Sequence, residues 1–258
     1  MCALALCLGA ERLMLGRIPP FFSPLHALII GSTLLEYNVH HLFNQVKNGE
    51  PWAPSALKWH WAVSIAGLLL CLAVLPALPT KVVIACGVLG VASFAYSTPL
   101  LPFRYKRRLK DYGLLKIHML TGVWVSVGTV LPALYWSIPF SEYWIEIIVR
   151  AGLIFPLCIA FDIRDAEADK AIGINTLPNT LGIKAAYLAV NLTLCAFLIG
   201  GLIRCIYREQ FSEMGAYALS AAAAYFAIHL AKRKPSPFVY LVLIDGVMLL
   251  YGLLQLVS

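Results

Sequence analysis

Four acidic residues lie within eight positions of an otherwise apolar chain, in the segment FDIRDAEADKAIGINTLPNTLG at residues 161–182. They are Asp162, Asp165, Glu167 and Asp169. If the helix of the preceding apolar run continues through Asp169, the three aspartates are spaced i, i+3, i+7 and share one face, and Glu167 points away. Such a stripe suits Mg²⁺, which also takes phosphate oxygens and waters. The spacing predicts a metal site that binds a diphosphate through the ion.

A simpler interpretation is a solvated helix end in which Arg164 and Lys170 neutralise the acids. The residues that follow are compatible with either interpretation. Gly173 and Pro178 are expected to end the helix. The next segment is expected to begin near Asn179, where free backbone N–H groups can face an anion.

A basic loop comes earlier, at residues 96–116 (YSTPLLPFRYKRRLKDYGLLK), with six basic residues in its last 13 positions. One interpretation is attachment to lipid headgroups. The other is an electrostatic lid that attracts a phosphorylated lipid and neutralises a leaving diphosphate. Arg108 and Lys110 are the better candidates for the second role because they lie closer to the next helix. Tyr96 ends its helix near the expected site, either as a site residue or as an interfacial aromatic.

The elements that position these residues are predicted from composition. Of 258 residues, 60% are hydrophobic and only 13% are charged. Apolar runs of about 20 residues recur, the length of a membrane-spanning helix, and their continuity disfavours a β-barrel. The sequence predicts one all-α, polytopic membrane domain over residues 1–258. Its nine apolar segments are about 1–15, 23–46, 57–78, 81–98, 113–136, 143–161, 184–205, 213–231 and 237–257.

The net charge of +7 comes mainly from basic residues in alternate loops. In a soluble protein this charge would suggest nucleic acid as a partner, but here anionic lipid accounts for it. The positive-inside rule places the N-terminus and the acidic cluster on the cytoplasmic side of the cell inner or plasma membrane. The seven cysteines form no CxxC pair and indicate neither a disulfide framework nor a zinc site.

The segment DIRDAEADKAIGINTLPNTLG resembles the second aspartate-rich motif of the UbiA superfamily of intramembrane prenyltransferases and its downstream GI-TLP-LG pattern. AYSTPL and the later LKDYGLLKIHMLTGVWVSVGTVLP resemble that family between its fourth and fifth helices. The resemblance implies a nine-helix bundle around a central cavity that opens to the cytoplasm and to lipid. In it a polyprenyl diphosphate would bind through Mg²⁺ and ionise to an allylic cation, which an aromatic or lipid acceptor captures.

The first aspartate-rich motif of that family, NDxxDxxxD, is degenerate here. Residues 37–46 read YNVHHLFNQV, so Asn38 matches but the aspartates are replaced by Val39, Leu42 and Val46. The stretch keeps a neutral polar stripe of Asn38, His41 and Gln45. That stripe either satisfies its own hydrogen bonds between helices or lets His41 contact the substrate headgroup. A site with two Mg²⁺ ions is doubtful, because imidazole is a poor Mg²⁺ ligand.

Two hypotheses follow. The first is a UbiA-type prenyltransferase with an unidentified acceptor, acting in the lipid bilayer. The second is a catalytically inactive relative that binds an isoprenoid lipid or a partner. The predicted site residues are Asp162, Asp165 and Lys110 in catalysis, Asn38, His41, Tyr96, Arg108 and Lys170 in substrate binding, and Asp162, Asp165 and Asp169 in metal binding.

Overall fold

The computed structural model describes residues 1–20, 22–48, 54–97 and 109–258, with side chains except at 40–48, 54–57, 97 and 110. The regular elements of these residues are all helical. In chain order they are α1 (Cys2–Leu15), α2 (Pro24–Asn48), α3 (Pro54–Val74), α4 (Thr80–Ser97), α5 (Gly113–Val125), α6 (Leu131–Tyr135), α7 (Phe140–Ala171), α8 (Leu177–Leu181), α9 (Ile183–Arg208), α10 (Met214–Arg233) and α11 (Asp245–Val257). A π-helical turn, Ser126–Val130, joins α5 to α6, and another, Val239–Ile244, leads into α11.

Six helical segments of the described residues are long and apolar enough to cross a membrane. They are Lys58–Ala77, Gly113–Tyr135, Phe140–Ala171, Ile183–Arg208, Phe211–Arg233 and Val239–Val257. The helix at Thr80–Tyr96 is apolar but shorter. The all-helical membrane class is confirmed, whereas the predicted count of nine spanning helices is not. Sidedness stays a prediction.

Helix α7 is the longest element, with 32 residues. At 1.5 Å per residue it is about 48 Å long, whereas a bilayer core is about 30 Å thick. The surplus turns at its C-terminal end carry Asp162 to Asp169, so the helix does continue through the acidic cluster as the predicted spacing required. The carboxylates therefore lie where the helix leaves the apolar region.

Residue types at the helix ends explain two of the boundaries. At the start of α2 the Ser23 hydroxyl accepts a hydrogen bond from the His26 backbone N–H, and the His26 ring accepts one from the Ser23 N–H. This reciprocal pair is a capping box, with Pro24 at the first helical position. Helix α1 ends at Gly16, whose φ of 64° closes the helix through a bond to the Arg12 carbonyl.

The core forms where small residues let helices approach closely. Helix α7 packs against α9, with Gly152 of α7 against the backbone of Phe197. Helix α9 in turn packs against α10, with Gly201 of α9 against the Tyr217 ring. Helix α1 packs against α11, where a Cβ on Gly252 would lie 2.4 Å from the Ala5 carbonyl. Close contacts of this kind are how helices associate in lipid, where the hydrophobic effect offers little.

A buried ionic cluster joins the helices at the end of α7 opposite its acidic cluster. The Arg204 guanidinium of α9 donates to Glu146 of α7 and to Glu213, which precedes α10. All three side chains are almost fully buried. Since one cation holds two carboxylates out of water, removing it would leave both acids buried and unpaired, which is far costlier than losing a surface ion pair.

We expect Arg204→Leu to lower the free energy of unfolding by about 3–5 kcal/mol, because Glu146 and Glu213 then repel each other in a buried site. Unfolding in detergent micelles, followed by loss of helical circular dichroism with added dodecyl sulfate, measures this change.

The matched control is Arg208→Leu on the same helix, where the arginine is partly exposed and donates to the Glu142 carbonyl, not to a carboxylate. The loss in the free energy of unfolding for this control should stay below about 1 kcal/mol. Adding Glu146→Gln and Glu213→Gln to the Arg204→Leu chain should restore part of the loss. An Arg204→Leu protein as stable as the Arg208→Leu protein would contradict the role assigned to the cluster.

Candidate functional site

Lys116, near the start of α5, lies between two aspartates of α7. Its Nζ is 2.9 Å from Asp162 Oδ1 and 3.0 Å from Asp169 Oδ2. The two carboxylates are seven residues apart, two turns along the helix, so they face α5 together. The side chains of Lys116, Asp162 and Asp169 are only 15%, 2% and 11% exposed. The trio carries one net negative charge in a poorly hydrated place.

One buried oxygen of this trio has no hydrogen-bond partner among the residues that the structure describes. It is Asp162 Oδ2, and Oγ1 of Thr176, in the turn after α7, is in the same state. An unsatisfied buried polar atom costs about 1–3 kcal/mol, and such atoms in native proteins call for an explanation. A carboxylate oxygen held in this way is a hard donor suited to Mg²⁺. The residues present therefore fit one divalent ion beside Lys116.

The third aspartate of the stripe has a different partner. Asp165 Oδ1 accepts a hydrogen bond from Arg164 Nε at 2.7 Å, and Asp165 Oδ2 accepts one from Arg164 Nη2 at 3.0 Å. The guanidinium also lies over the rings of Phe161 and Tyr240, at 4.9 and 5.3 Å from their centroids. Asp165 is about one-third exposed. The structure thus brings Asp162 and Asp169 together on Lys116 and leaves Asp165 paired with Arg164, so its metal-binding role stays a prediction.

The turn after α7 is closed by backbone and side-chain bonds. Gly173 takes a φ of 74°, and Ile174 N–H bonds back to the Asp169 carbonyl at 2.8 Å. Only glycine adopts such a φ without strain. The Asn179 amide donates to the carbonyls of Ala166 at 3.0 Å and Ile174 at 3.3 Å. These bonds fix the last turn of α7 and with it the position of Asp169.

The same turn sets the position of α5. Gly113, the first residue of α5, touches the backbone of Asn175 so closely that a Cβ there would lie 1.6 Å from the Asn175 carbonyl oxygen. Lys116 follows one turn later on the same helix. The turn therefore locates both sides of the ion pair, the carboxylates through α7 and the ammonium through Gly113.

An apolar cavity of about 420 Å³ lies along α5. Its walls come from α1, α2, α4, α5, the π-helical turn and α6, and they include Glu36, Tyr37, Tyr96, Met119 and Trp124. Met119 and Leu120 lie about one turn beyond Lys116 on α5. Tyr96 belongs to the cavity wall and also interacts electrostatically with Lys116, Asp162 and Asp169. The cavity and the trio are thus linked through Tyr96 and through one turn of α5.

The remaining predicted residues divide into two groups. Asn38 does not line the cavity: its amide donates to the Leu34 carbonyl and its oxygen bonds the His60 ring of α3 at 2.8 Å. Lys170 is exposed at the end of α7. Arg108 lies outside the described residues, and so do the side chains of His41 and Lys110. The catalytic role of Lys110 and the substrate-binding roles of the other four residues stay predictions.

Sequence reasoning missed Lys116 as a site residue. It was grouped with the basic loop, although it lies three residues inside the apolar segment that begins at 113. That position was itself a signal, because a lysine inside a membrane segment usually pairs with an acid or lines a cavity. The acidic stripe of α7 was the obvious partner.

A second cluster, of Cys7, Glu11 and His26, has donor atoms close enough to hold a metal. Its hydrogen bonds argue against one. His26 Nδ1 accepts from Ser23 N–H, so Nε2 carries the proton and donates to Glu11 at 2.7 Å. Glu11 also accepts from the Trp136 indole at 2.8 Å. A metal on Nε2 would place a proton on Nδ1, against the Ser23 N–H, so the cluster is a satisfied hydrogen-bond network.

Comparisons with solved structures identify the fold. A UbiA homolog from Aeropyrum pernix K1 in its apo form superposes with a TM-score of 0.68 at 17% identity, covering 99% of this chain and 97% of that chain. A UbiA homolog from Archaeoglobus fulgidus bound to GPP and Mg²⁺ gives 0.65 at 16% identity, covering 100% and 97%. A digeranylgeranylglyceryl phosphate synthase gives 0.57 at 14% identity, covering 99% and 90%. No protein-family model and no curated protein sequence matches the chain.

The chain is an integral membrane protein of the helical class, with a charged trio about one helical turn from an apolar cavity. Its fold is the UbiA fold, over its whole length. The resemblance drawn from DIRDAEADKAIGINTLPNTLG is therefore confirmed at the level of the fold.

We expect Gly113→Ala to destabilise the protein by about 1–3 kcal/mol, because the new methyl group overlaps the Asn175 carbonyl and forces α5 away from the turn. The thermal midpoint of the detergent-solubilised protein measures the effect. Gly122→Ala is the matched control, since it lies on the same helix with open space around its Cβ position. Equal midpoints for the two variants would show that the contact at Gly113 is not required.

Proposed function

We propose that this protein is a UbiA-type prenyltransferase whose donor is a polyprenyl diphosphate. The diphosphate binds beside Asp162 and Asp169, and the isoprenoid chain lies in the apolar cavity. Support comes from the shared fold, from the homolog bound to GPP and Mg²⁺, and from the continuity of cavity and charged trio through Tyr96. We further propose that the charged end of the site faces the cytoplasm, because the basic loops lie on that side of the predicted topology.

One observation carries the proposal: the buried Asp162 Oδ2, which has no hydrogen-bond partner among the described residues. A purely structural ion pair would be expected to satisfy both oxygens of a carboxylate that is so deeply buried. An oxygen left without a partner marks a place that a ligand completes. Because the neighbouring groups are carboxylates, that ligand is a cation.

Asp162 and Asp169 would hold one Mg²⁺, and Asp165 would join them only if it left Arg164. When bound, the ion neutralises charge on the diphosphate and so favours its departure. The side chains of the protein exclude water and stabilise the cation. The cavity wall excludes water from the allylic carbon as the C–O bond breaks and the diphosphate leaves with the electron pair. The ring faces of Tyr96 and Trp124 stabilise the cation until an acceptor nucleophile adds and loses a proton.

The second candidate function is isoprenoid binding without catalysis. The degenerate first motif favours it, since Val39, Leu42 and Val46 stand where the family pattern has aspartates. The orientation of Asn38 toward His60 favours it as well, because the one matching residue of that motif is turned to α3. In this alternative the cavity and the trio would still bind a prenyl diphosphate, but the C–O bond would stay intact.

Release of diphosphate from labelled prenyl diphosphates of several chain lengths separates the two functions. We expect Mg²⁺-dependent release by the purified protein and a loss of about 100-fold or more in Asp162→Asn, because a preorganised charge at the leaving group is removed. The assay should be run in lipid nanodiscs with a bacterial lipid extract as the source of acceptors.

Glu167→Gln is the matched control, because Glu167 is an exposed acid of the same segment on another face of α7. Its rate should remain within about twofold of the parent, as is usual for an exposed surface change. Tight binding of the prenyl diphosphate with no release, under every divalent ion tried, would refute the enzyme and support the binder.

A further inference from the structure

We infer that Lys116 is a built-in cation of the diphosphate site and takes the place of a second metal ion. This inference rests on the proposed function, because it concerns how the same site holds the same headgroup. It assigns Lys116 a direct contact with a diphosphate oxygen, rather than only a structural pairing with Asp162 and Asp169. The class of ligand is a diphosphate ester held together with one divalent ion.

The geometry of the ammonium supports this role. A lysine has three N–H donors on Nζ, and two of them are used on Asp162 Oδ1 and Asp169 Oδ2. Both acceptors belong to one face of α7, and α5 continues from Lys116 along the cavity through Met119 and Leu120. No described residue accepts from the third donor, which can therefore serve an oxygen that arrives from the cavity. A diphosphate whose isoprenoid chain fills the cavity would supply such an oxygen.

The charge balance of the site gives a second, independent reason. Helix α2 lacks the aspartates of the first motif, and among the described residues the carboxylates that contact Lys116 are those of Asp162 and Asp169, whereas Glu36 lies on the cavity wall. One divalent ion with two carboxylates is electrically neutral and would attract a diphosphate weakly. Adding the ammonium leaves one net positive charge facing the anion. Lys116 thus supplies the charge that a second ion would otherwise bring, without needing a second set of ligands.

The opposing interpretation is that Lys116 plugs the metal site and excludes the ion. The two interpretations predict opposite changes in diphosphate binding when the charge of Lys116 is removed. If Lys116 helps to bind diphosphate, removing its charge weakens diphosphate binding. If Lys116 is a plug, removing it frees Asp162 and Asp169 and strengthens binding of both metal and diphosphate. The unpartnered Asp162 Oδ2 favours the first interpretation, since a plug evolved to fill the site would be expected to satisfy that oxygen too.

The experiment uses the full chain in nanodiscs and titrates inorganic pyrophosphate in the presence of Mn²⁺ by calorimetry. We expect Lys116→Met to weaken pyrophosphate binding about tenfold or more, because a charge-assisted hydrogen bond is lost. Lys116→Arg should retain most of the affinity. Lys184→Met, an exposed lysine after the same turn, is the matched control and should bind like the parent.

Unchanged or tighter pyrophosphate binding by Lys116→Met would overturn the inference while leaving the proposed function intact. Absence of pyrophosphate binding by the parent protein would overturn both. A second measurement does not depend on any variant folding. Electron paramagnetic resonance of the parent protein saturated with pyrophosphate should count one bound Mn²⁺ per chain, and two would show that Lys116 replaces no ion.

Discussion

The bridge from Lys116 to Asp162 and Asp169 is the interaction on which the rest of the site depends. It joins α5 to α7 across a poorly hydrated space, where two carboxylates side by side would otherwise repel each other. Because its partners are two turns apart on one helix, the ammonium also fixes the rotation of α7 about its axis. Among the described residues the bridge leaves Asp162 Oδ2 without a hydrogen bond, so the structural contact does not use all the acceptor capacity of the carboxylate.

Helix α7 carries a buried acid at each end, and the two ends are built differently. Glu146 at one end and Asp162 at the other are separated by 16 residues, or about 24 Å along the helix. At the Glu146 end a single arginine is shared by two acids of two segments, which ties the bundle together. At the Asp162 end a single lysine is shared by two acids of the same helix, beside a cavity. A flexible lysine leaves room for a ligand that the planar, multiply bonded arginine would exclude.

Whether the sequence predicted a feature depends on how far apart along the chain the interacting residues lie. The helical class, the extension of α7 through Asp169 and the turn at Gly173 follow from local patterns, and the structure has all three. The split of the aspartate stripe, with Asp165 on Arg164, could not be predicted, because i, i+3, i+7 spacing says which residues share a face but not which cation reaches them. The position of Lys116 inside an apolar segment indicates that it needs an acidic partner, but which aspartates it contacts is not encoded locally. The contact of Gly113 with Asn175, about 60 residues away, has no local signal at all.

A fold preserved at 14–17% identity is compatible with a changed site, because helix packing in lipid depends on small residues and apolar surface rather than on the carboxylates of the cavity mouth. Gly152, Gly201 and Gly252 preserve the bundle whether or not α2 contributes acids. Substitution of Val39, Leu42 and Val46 therefore alters the chemistry of one wall without loosening the scaffold. On α7 the two carboxylates are paired with the ammonium of Lys116 on α5. The absence of acids at three positions of α2 therefore leaves this ion pair undisturbed, because its partners lie on other helices of the same bundle.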